Sequence, residues 1–320
     1  MHSINSRQNE TRQIQRLAAQ RQLYATAKRI LAVQLVLSGP IAAATVVIGF
    51  AMPNFKAYVA LWGFTMLLLD LAWLSPWQKR LRESAAKVQE QFDCYVLDLK
   101  WNAFKAGEPE PAELVLEQSI KYQSWAHKMP PLTDWYSKAV NDLPLSLARL
   151  VCQRSNCWWD AKQRRVYATA IGLVLFAVCA IVLGAGLVYR LSLEDLLLIV
   201  VAPMSSTFAL GFRRITEHRE AADRLDKLRG LVERTWKEAL QKPQSSVVVA
   251  ASRALQDEIY DGRKRNPMVF DAIFRWFRND NEQQMNHSAD EFLAEALVAL
   301  TDQVAALTPD QRTAVRSTGV

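Results

Sequence analysis

Cysteine is scarce in this 320-residue chain: it has four, Cys94, Cys152, Cys157 and Cys179. They are too few and too scattered for a disulfide framework, so free thiols in a reducing compartment are expected. Cys152 and Cys157 lie five apart with no second pair, which leaves a zinc site two ligands short. The four histidines, His2, His127, His218 and His287, are far apart and none has a metal-ligand spacing. No Walker loop, no G-x-G-x-x-G and no G-x-S-x-G occurs. No metal, no cofactor and no enzymatic activity are therefore expected. A secretory signal peptide is also missing, because 1–22 is polar and the first apolar run leads straight to a second.

Charge is missing from one long stretch, and that absence organises the chain. From Val166 to Leu187 there is no charged residue, enough for about 33 Å of helix at ~1.5 Å per residue, the thickness of a bilayer core. A turn at 190–195 leads to a second apolar run, Leu196 to Phe212, closed by Arg213 and Arg214. An earlier pair, Ile30 to Met52 with Pro40 inside and Tyr58 to Leu74, repeats the pattern. The expected fold class is mainly α: a four-transmembrane-helix membrane protein of two hairpins with helical cytoplasmic middle and C-terminal regions. Its segments are an N-terminal helix (1–29), hairpin 1 (30–76), a middle domain (77–165), hairpin 2 (166–212) and a C-terminal region (213–320).

The net charge of +7 follows the membrane rather than a nucleic acid, and no DNA or RNA partner is expected. Cations crowd the feet of all four runs, whereas the two opposite loops carry only Lys56 and Arg190. The positive-inside rule then puts both termini and the middle domain in the cytoplasm, with the lipid bilayer as a partner.

Within this frame, 1–29 reads as a polar helix at the membrane surface, lacking a sustained apolar face. The run 92–99, rich in aromatic and β-branched residues, reads as an extended piece, and Pro111 as the start of a helix. A last helix of the middle domain, from Leu143 to Arg154, leads into the third span. Leu225, Leu228, Val232 and Trp236 form an apolar stripe suited to coiled-coil or bundle packing. Ser245 to Tyr260 is a further helix, Phe270, Phe274, Trp276 and Phe277 a core cluster. Capping boxes are expected at Ser192/Asp195, Ser288/Glu291 and Thr308/Gln311.

Two polar segments carry candidate binding chemistry. One holds Arg149, Arg154, Asn156, Trp158, Trp159, Asp160, Arg164 and Arg165; the other holds Gln256, Asp257, Tyr260 and Arg263. Guanidinium groups fork onto phosphates and indoles stack on bases, so either segment suits a nucleotide. From composition alone, interfacial anchoring explains the first more simply, and a solvated helix face the second. In the spans, Asp70, Ser205, Ser206 and Thr207 are the polar residues able to line a wet path. Hydration at the membrane edge explains Asp70 as well, and hydrogen bonds back to the preceding turn explain the hydroxyls.

The span order resembles the S-4TM family of pore-forming effectors associated with bacterial nucleotide-second-messenger synthases. The likeness is carried by F-D-C-Y-V-L-D-L-K-W-N (92–102), D-W-Y-S (134–137), C-Q-R-S-N-C-W-W-D (152–160) and L-Q-D-E-I-Y-D-G-R (255–263). Trp101, Asn102, Asp134, Trp135, Cys152, Gln153, Arg154, Asn156, Trp158, Asp160, Arg165, Gln256, Asp257 and Tyr260 are the matching motif positions. The resemblance implies an inner-membrane effector of antiphage defence acting by abortive infection. A cyclic oligonucleotide from a partner nucleotidyltransferase would bind the cytoplasmic part, and the membrane part would permeabilise the inner membrane. Four helices of one chain enclose little space, so an ion path would form between protomers of a homo-oligomer. A constitutive small channel or transporter, or a non-conducting membrane scaffold, is the alternative.

Overall fold

The computed structural model describes residues 3–41, 44, 52, 56–188, 190, 192, 202–243 and 245–306, with the backbone alone at 38–39, 56–57, 59–60, 63, 128, 182, 185, 202–207, 210, 271–280 and 304–306. No strand occurs among the described residues, as the mainly α expectation requires. The helices are α1 (Ile4–Gln8), α2 (Thr11–Val36), α3 (Lys56–Leu69), α4 (Ser75–Val96), α5 (Ala103–Ala106), α6 (Ala112–Gln123), α7 (Leu145–Val188), α8 (Ala202–Gln241), α9 (Ser246–Arg265) and α10 (Asp271–Ala306).

Local chemistry accounts for most boundaries. Ser245 caps α9, its side chain accepting from the Val247 N–H, and the helix stops before Pro267. Pro111 sits at the N-cap of α6. Two expectations fail. The run 92–99 is not extended, because α4 continues through Val96. Its apolar residues belong to a helical stripe, with Ala85, Val88, Phe92 and Val96 buried at three- and four-residue spacing. The Ser288/Glu291 box does not start a helix either. No glycine or proline interrupts 271–306, so α10 runs through Ser288, whose hydroxyl accepts from Arg154 instead. The boxes at Ser192/Asp195 and Thr308/Gln311 lie outside the described residues, as do the side chains of Phe274, Trp276 and Phe277.

The N-terminal helix is not a polar helix on the membrane surface. Leu17, Ala19, Leu23, Ala27 and Ile30 are buried on α2, and Gln13, Gln20 and Gln22 are buried with them. Alanine and glutamine disguise the stripe as polar, but small side chains let α2 pack closely on α4 and α6. One core joins parts that the sequence keeps apart. It takes Leu17 from α2, Phe92 from α4, Tyr136 from the loop before α7, Leu150 from α7, Trp236 from α8, Leu255 from α9 and Ala296 from α10. The Leu225–Trp236 stripe is spent inside the same chain, where Leu225, Val232 and Trp236 are buried. It therefore carries no argument for a coiled coil between chains.

From this body the chain makes two excursions. It leaves at the end of α2 and returns in α4, then leaves along α7 and returns along α8. Because both ends of each excursion belong to one core, an excursion that crosses a membrane crosses it an even number of times. Among the described residues, one helix, α7, is long and apolar enough to cross, and almost none of its apolar window is buried in the chain. Leu173, Val174, Phe176, Ile181, Leu187 and Val188 are uncovered, as are Leu61, Phe64, Leu67, Leu71 and Trp73 in the first excursion. Apolar surface on that scale needs lipid or another apolar partner. Pro40 falls in a π-helical turn, Leu37–Ile41, which absorbs its missing N–H. Much of 42–55 and 189–201, on which the expected first and fourth spans depend, lies outside the described residues.

α7 and α8 form a hairpin that is tight at its apolar end and charged along the rest. A Cβ on Gly211 would stand 2.6 Å from Leu175 Cδ1 and 3.1 Å from its Cγ. The glycine is what lets the two backbones approach. Two turns further along α8, His218 is buried, its ring 4.6 Å from that of Tyr167. Its Nδ1 has no partner among the described residues. Burial, and then the charges of Arg164 and Arg214, push its pKa down to about 3. Further along, Arg165 pairs with Asp226, and Arg154 with Glu233 at 2.9 Å.

Two outcomes follow. Gly211→Val should cost about 1–3 kcal/mol in unfolding of the detergent-solubilised protein, largely restored by Leu175→Ala in a double-mutant cycle. Additive effects would mean that the contact does not set the helix spacing. His218 is neutral when folded, so its contribution is complete above its unfolded pKa near 6.5 and is lost as pH falls toward about 3. Wild-type protein should lose up to ~1.4 kcal/mol per pH unit relative to His218→Phe over that window. Parallel curves for the two proteins would refute the buried neutral imidazole.

Candidate functional site

The centre of the domain is polar, and its groups are matched. Glu90 and Asp93, one turn apart on α4, are both buried. Arg253 of α9 donates to Glu90 at 2.7 Å, and Arg263 of α9 donates to Asp93. Gln256 lies between them, donating to Glu90 at 2.8 Å and to Asp93 at 3.0 Å. Gln153 of α7 donates to the Ser252 carbonyl at 2.8 Å and to Gln256 at 3.2 Å. Tyr136 donates to Asp93 at 2.7 Å and accepts from Asn156 at 3.0 Å. Burial, then the charge of Asp93, raises the pKa of Glu90. Burial opposes the charge on Arg263, yet Asp93, with Tyr136 and Glu90, holds its pKa above the ordinary value.

Beside this network lies a cavity of about 750 Å³, within the size range of small-molecule sites. Helical spacing builds its walls. Gln20, Tyr24 and Lys28 recur every four residues on α2. Asn156, Asp160 and Arg164 do the same on α7, with Trp159 and Gln163 beside them. Arg82 comes from α4, Trp135 from the loop 131–139, and Arg263 from α9. Asn266 and Pro267, and then Glu282, Met285 and Asp290 of α10, close the remaining side.

The lining is cationic where it is buried. Its cations are Arg21, Lys28, Arg82, Lys138, Arg164 and Arg263, against Asp134, Asp160, Glu282 and Asp290: six minus four leaves an excess of two. Lys138 pairs with Asp134 at 3.2 Å and Arg164 with Asp160 at 3.1 Å. Arg82 has no ion pair among the described residues, and its Nε has no hydrogen-bond acceptor. Burial lowers its pKa; Tyr24 offsets this in part, and Arg164 and Arg214 lower it further. Burial pushes Tyr24 up to about 12, so its hydroxyl is neutral. Gln20 Oε1 and Gln163 Nε2 also lack hydrogen-bond partners among the described residues. Partly desolvated like charges beside an open space favour an anion, and the rings of Tyr24, Trp135 and Trp159 offer flat faces beside it.

The two candidate segments are thus neighbours, though not all their residues reach the cavity. Asn156, Trp159, Asp160, Arg164 and Arg263 line it. Arg149 does not: it donates to the Leu97 and Asp98 carbonyls and caps the C-terminus of α4. Arg154 is held by Glu233, by Ser288 at 3.0 Å and over the Phe292 ring at 4.8 Å. Trp158 packs under Lys162 and Arg165 pairs with Asp226, both away from the cavity. Gln256 belongs to the buried network, Asp257 accepts from Asn102 at 2.8 Å, and Tyr260 packs with Ala86 and Ala106. Tyr24 and Lys28 belong to the segment that the sequence presents as a polar surface helix, and Arg82 to the cations after the second apolar run; the four-residue recurrence of Gln20, Tyr24 and Lys28 on α2 is the signal that marks the first two.

Cys94, Cys152, Cys157 and Cys179 are free thiols. Burial raises the pKa of Cys152, and pushes that of Cys157 up to about 12. Among the pore candidates, Asp70 is half-buried and accepts from Gln34 and, at 3.2 Å, from Ser75. It opens a π-helical turn, Asp70–Leu74. The side chains of Ser205, Ser206 and Thr207 lie outside the described residues.

Comparison with known proteins identifies the family. The SMODS-associating 4TM effector domain matches residues 2–292, most of the chain and every wall of the cavity. A probable CBASS effector molecule of Bacillus cereus (strain VD146) is 20% identical over 202 residues, which span 63% of this chain and 66% of that protein. No solved structure is similar to the chain. The chain belongs to the SMODS-associating 4TM effector domain family.

Proposed function

We propose that this effector serves antiphage defence by binding a cyclic oligonucleotide in the cavity between α2, α7 and α9 and permeabilising the inner membrane in response. The observation that carries the reading is the position of Trp159, Asp160 and Arg164. They line the cavity on α7, a helix of 44 residues that continues unbroken into the apolar segment. At ~1.5 Å per residue the helix is about 66 Å long, so a displacement at the cavity reaches the membrane without crossing a loop. Arg82, Arg164 and Lys28 would meet phosphodiester oxygens, while Trp159, Trp135 and Tyr24 would flank bases. Family membership and the CBASS relative support the defence role and a partner that makes the nucleotide.

The membrane part has two hairpins, four spans, with both termini and the domain on the cytoplasmic side. The arginine bias supports this sidedness, and so does the shared core of α2, α4, α7 and α8. The ion path forms between protomers of a homo-oligomer, with Asp70 near its cytoplasmic end. Opening a gate from 1:99 to 99:1 needs about 5.5 kcal/mol of differential binding. Charge-assisted bonds of about 1.5–3 kcal/mol each reach that sum within a few contacts.

Titration of the detergent-solubilised protein with cyclic di- and trinucleotides tests the reading. At least one nucleotide should raise the melting temperature. For that nucleotide, Arg164→Gln and Trp159→Ala should each weaken binding at least tenfold, while Arg149→Ala lowers stability and leaves affinity within about twofold. Equal affinity in wild type and Arg164→Gln would move the site out of this cavity.

A further inference from the structure

Two of the cavity's guanidinium groups are bonded to the chain that follows α9. Arg164 donates to the Pro267 carbonyl at 2.6 Å, and Arg82 to the Asn266 carbonyl at 3.4 Å. Asn266 and Pro267 open the extended linker, 266–270, between α9 and α10. The same linker and helix form one side of the cavity, through Met268, Met285 and Asp290 among others.

The far side of the linker is fixed and the near side is not. α9 is clamped to α4 by the buried pairs Arg253–Glu90 and Arg263–Asp93. By contrast, the described side chains of α10 include only three that are buried, Asn281, Ala289 and Ala296, one per two turns and all small. Polar tethers at its surface supply much of the rest: Lys162 to Gln284 at 2.9 Å, Arg154 to Ser288, and Trp236 to Glu295 at 3.0 Å. Phe292 and Leu293 add partly buried contacts with the core, the Phe292 ring 4.8 Å from that of Trp236, but the described part of α10 is held by fewer buried residues than α7.

We propose that linker 266–270 and α10 form a latch on the cavity, opened when an anionic ligand takes Arg82 and Arg164 from the Asn266 and Pro267 carbonyls. A neutral carbonyl cannot compete with a phosphodiester for a guanidinium, because the charged pair makes the shorter and stronger bond. The carboxylates that α10 brings to the cavity, Glu282 and Asp290, are repelled by the same ligand. Binding therefore removes two of the linker's anchors, leaving Arg224 on Asn266 Oδ1 at 3.4 Å and the buried Met268, and adds repulsion against the helix behind it. This regulation rests on the cavity's being the nucleotide site, but the latch itself is testable without any nucleotide.

Hydrogen exchange read by mass spectrometry on the full-length protein in detergent tests it. With no ligand, Arg82→Gln/Arg164→Gln should exchange residues 266–306 at least tenfold faster than wild type, with 11–30 and 80–96 unchanged. Should those core segments also speed up, the double variant has lost its fold. Arg82→Lys and Arg164→Lys, which keep the charge and lose the forked geometry, then give the same reading. Wild-type exchange over 266–306 in a folded variant overturns the latch. In wild type, a cyclic di- or trinucleotide that slows exchange over 155–165 should speed it over 266–306; slowing both overturns the latch and keeps the binding site. Faster exchange in the variants, with no nucleotide protecting 155–165, keeps the latch and removes the nucleotide reading.

Discussion

Glu90 and Asp93 stand one turn apart on α4, both buried, and the rest of the domain answers to them. Two desolvated carboxylates that close are untenable alone. Arg253 and Arg263 neutralise them, and because both arginines belong to α9, the match fixes that helix against α4. Gln256 fills the space between, Gln153 ties α7 to α9, and Tyr136 and Asn156 extend the network to the cavity wall. Removing one partner would strand a buried charge, which costs about 3–5 kcal/mol, more than most surface pairs of this chain contribute together. The network gives the cavity a rigid side, and Arg263 belongs to both.

The opposite side is softer. The described part of α10 rests on small residues, Phe292 and polar tethers, and its linker, with Asn266 and Met268 buried, is bonded by Arg82, Arg164 and Arg224, none of which the network uses. A site with one fixed wall and one lightly held wall converts ligand charge into movement, because a ligand shifts an equilibrium only by binding its two states differently. The α7–α8 hairpin stands on the fixed side. Outside its apolar part it is laced by Arg165–Asp226 and Arg154–Glu233, and it is drawn close at Gly211.

Legibility in the sequence varied with the physical signal. The uncharged run after Arg165 was plain, since nothing but an apolar surround tolerates it, and the helix of the middle domain does enter it without a break. The stripe on α8 was visible, but periodicity says that a face is buried, not what buries it; Leu225 to Trp236 meet their own chain. α2 was misread because its buried face is written in alanine and glutamine. α4 was misread because a short aromatic and β-branched run fits a strand as well as a helical stripe. Candidate residues on α7 and α9 came from charge and aromatic density, which does not separate a residue facing a cavity from one capping a neighbour. Arg164 and Arg149 look alike in sequence, yet one lines the cavity and the other closes the end of α4. Arg82 was absorbed into the membrane foot because the helix that buries it lies far off in sequence.

The central claim is that a nucleotide in the cytoplasmic cavity governs the membrane part. Ion efflux from proteoliposomes containing the purified protein tests it most directly, with cyclic di- and trinucleotides added one at a time to the side bearing the domain. The account predicts silence without nucleotide, efflux on adding one of them, and silence again in Arg164→Gln. Efflux before any addition, or none with a nucleotide that occupies the cavity, would contradict it.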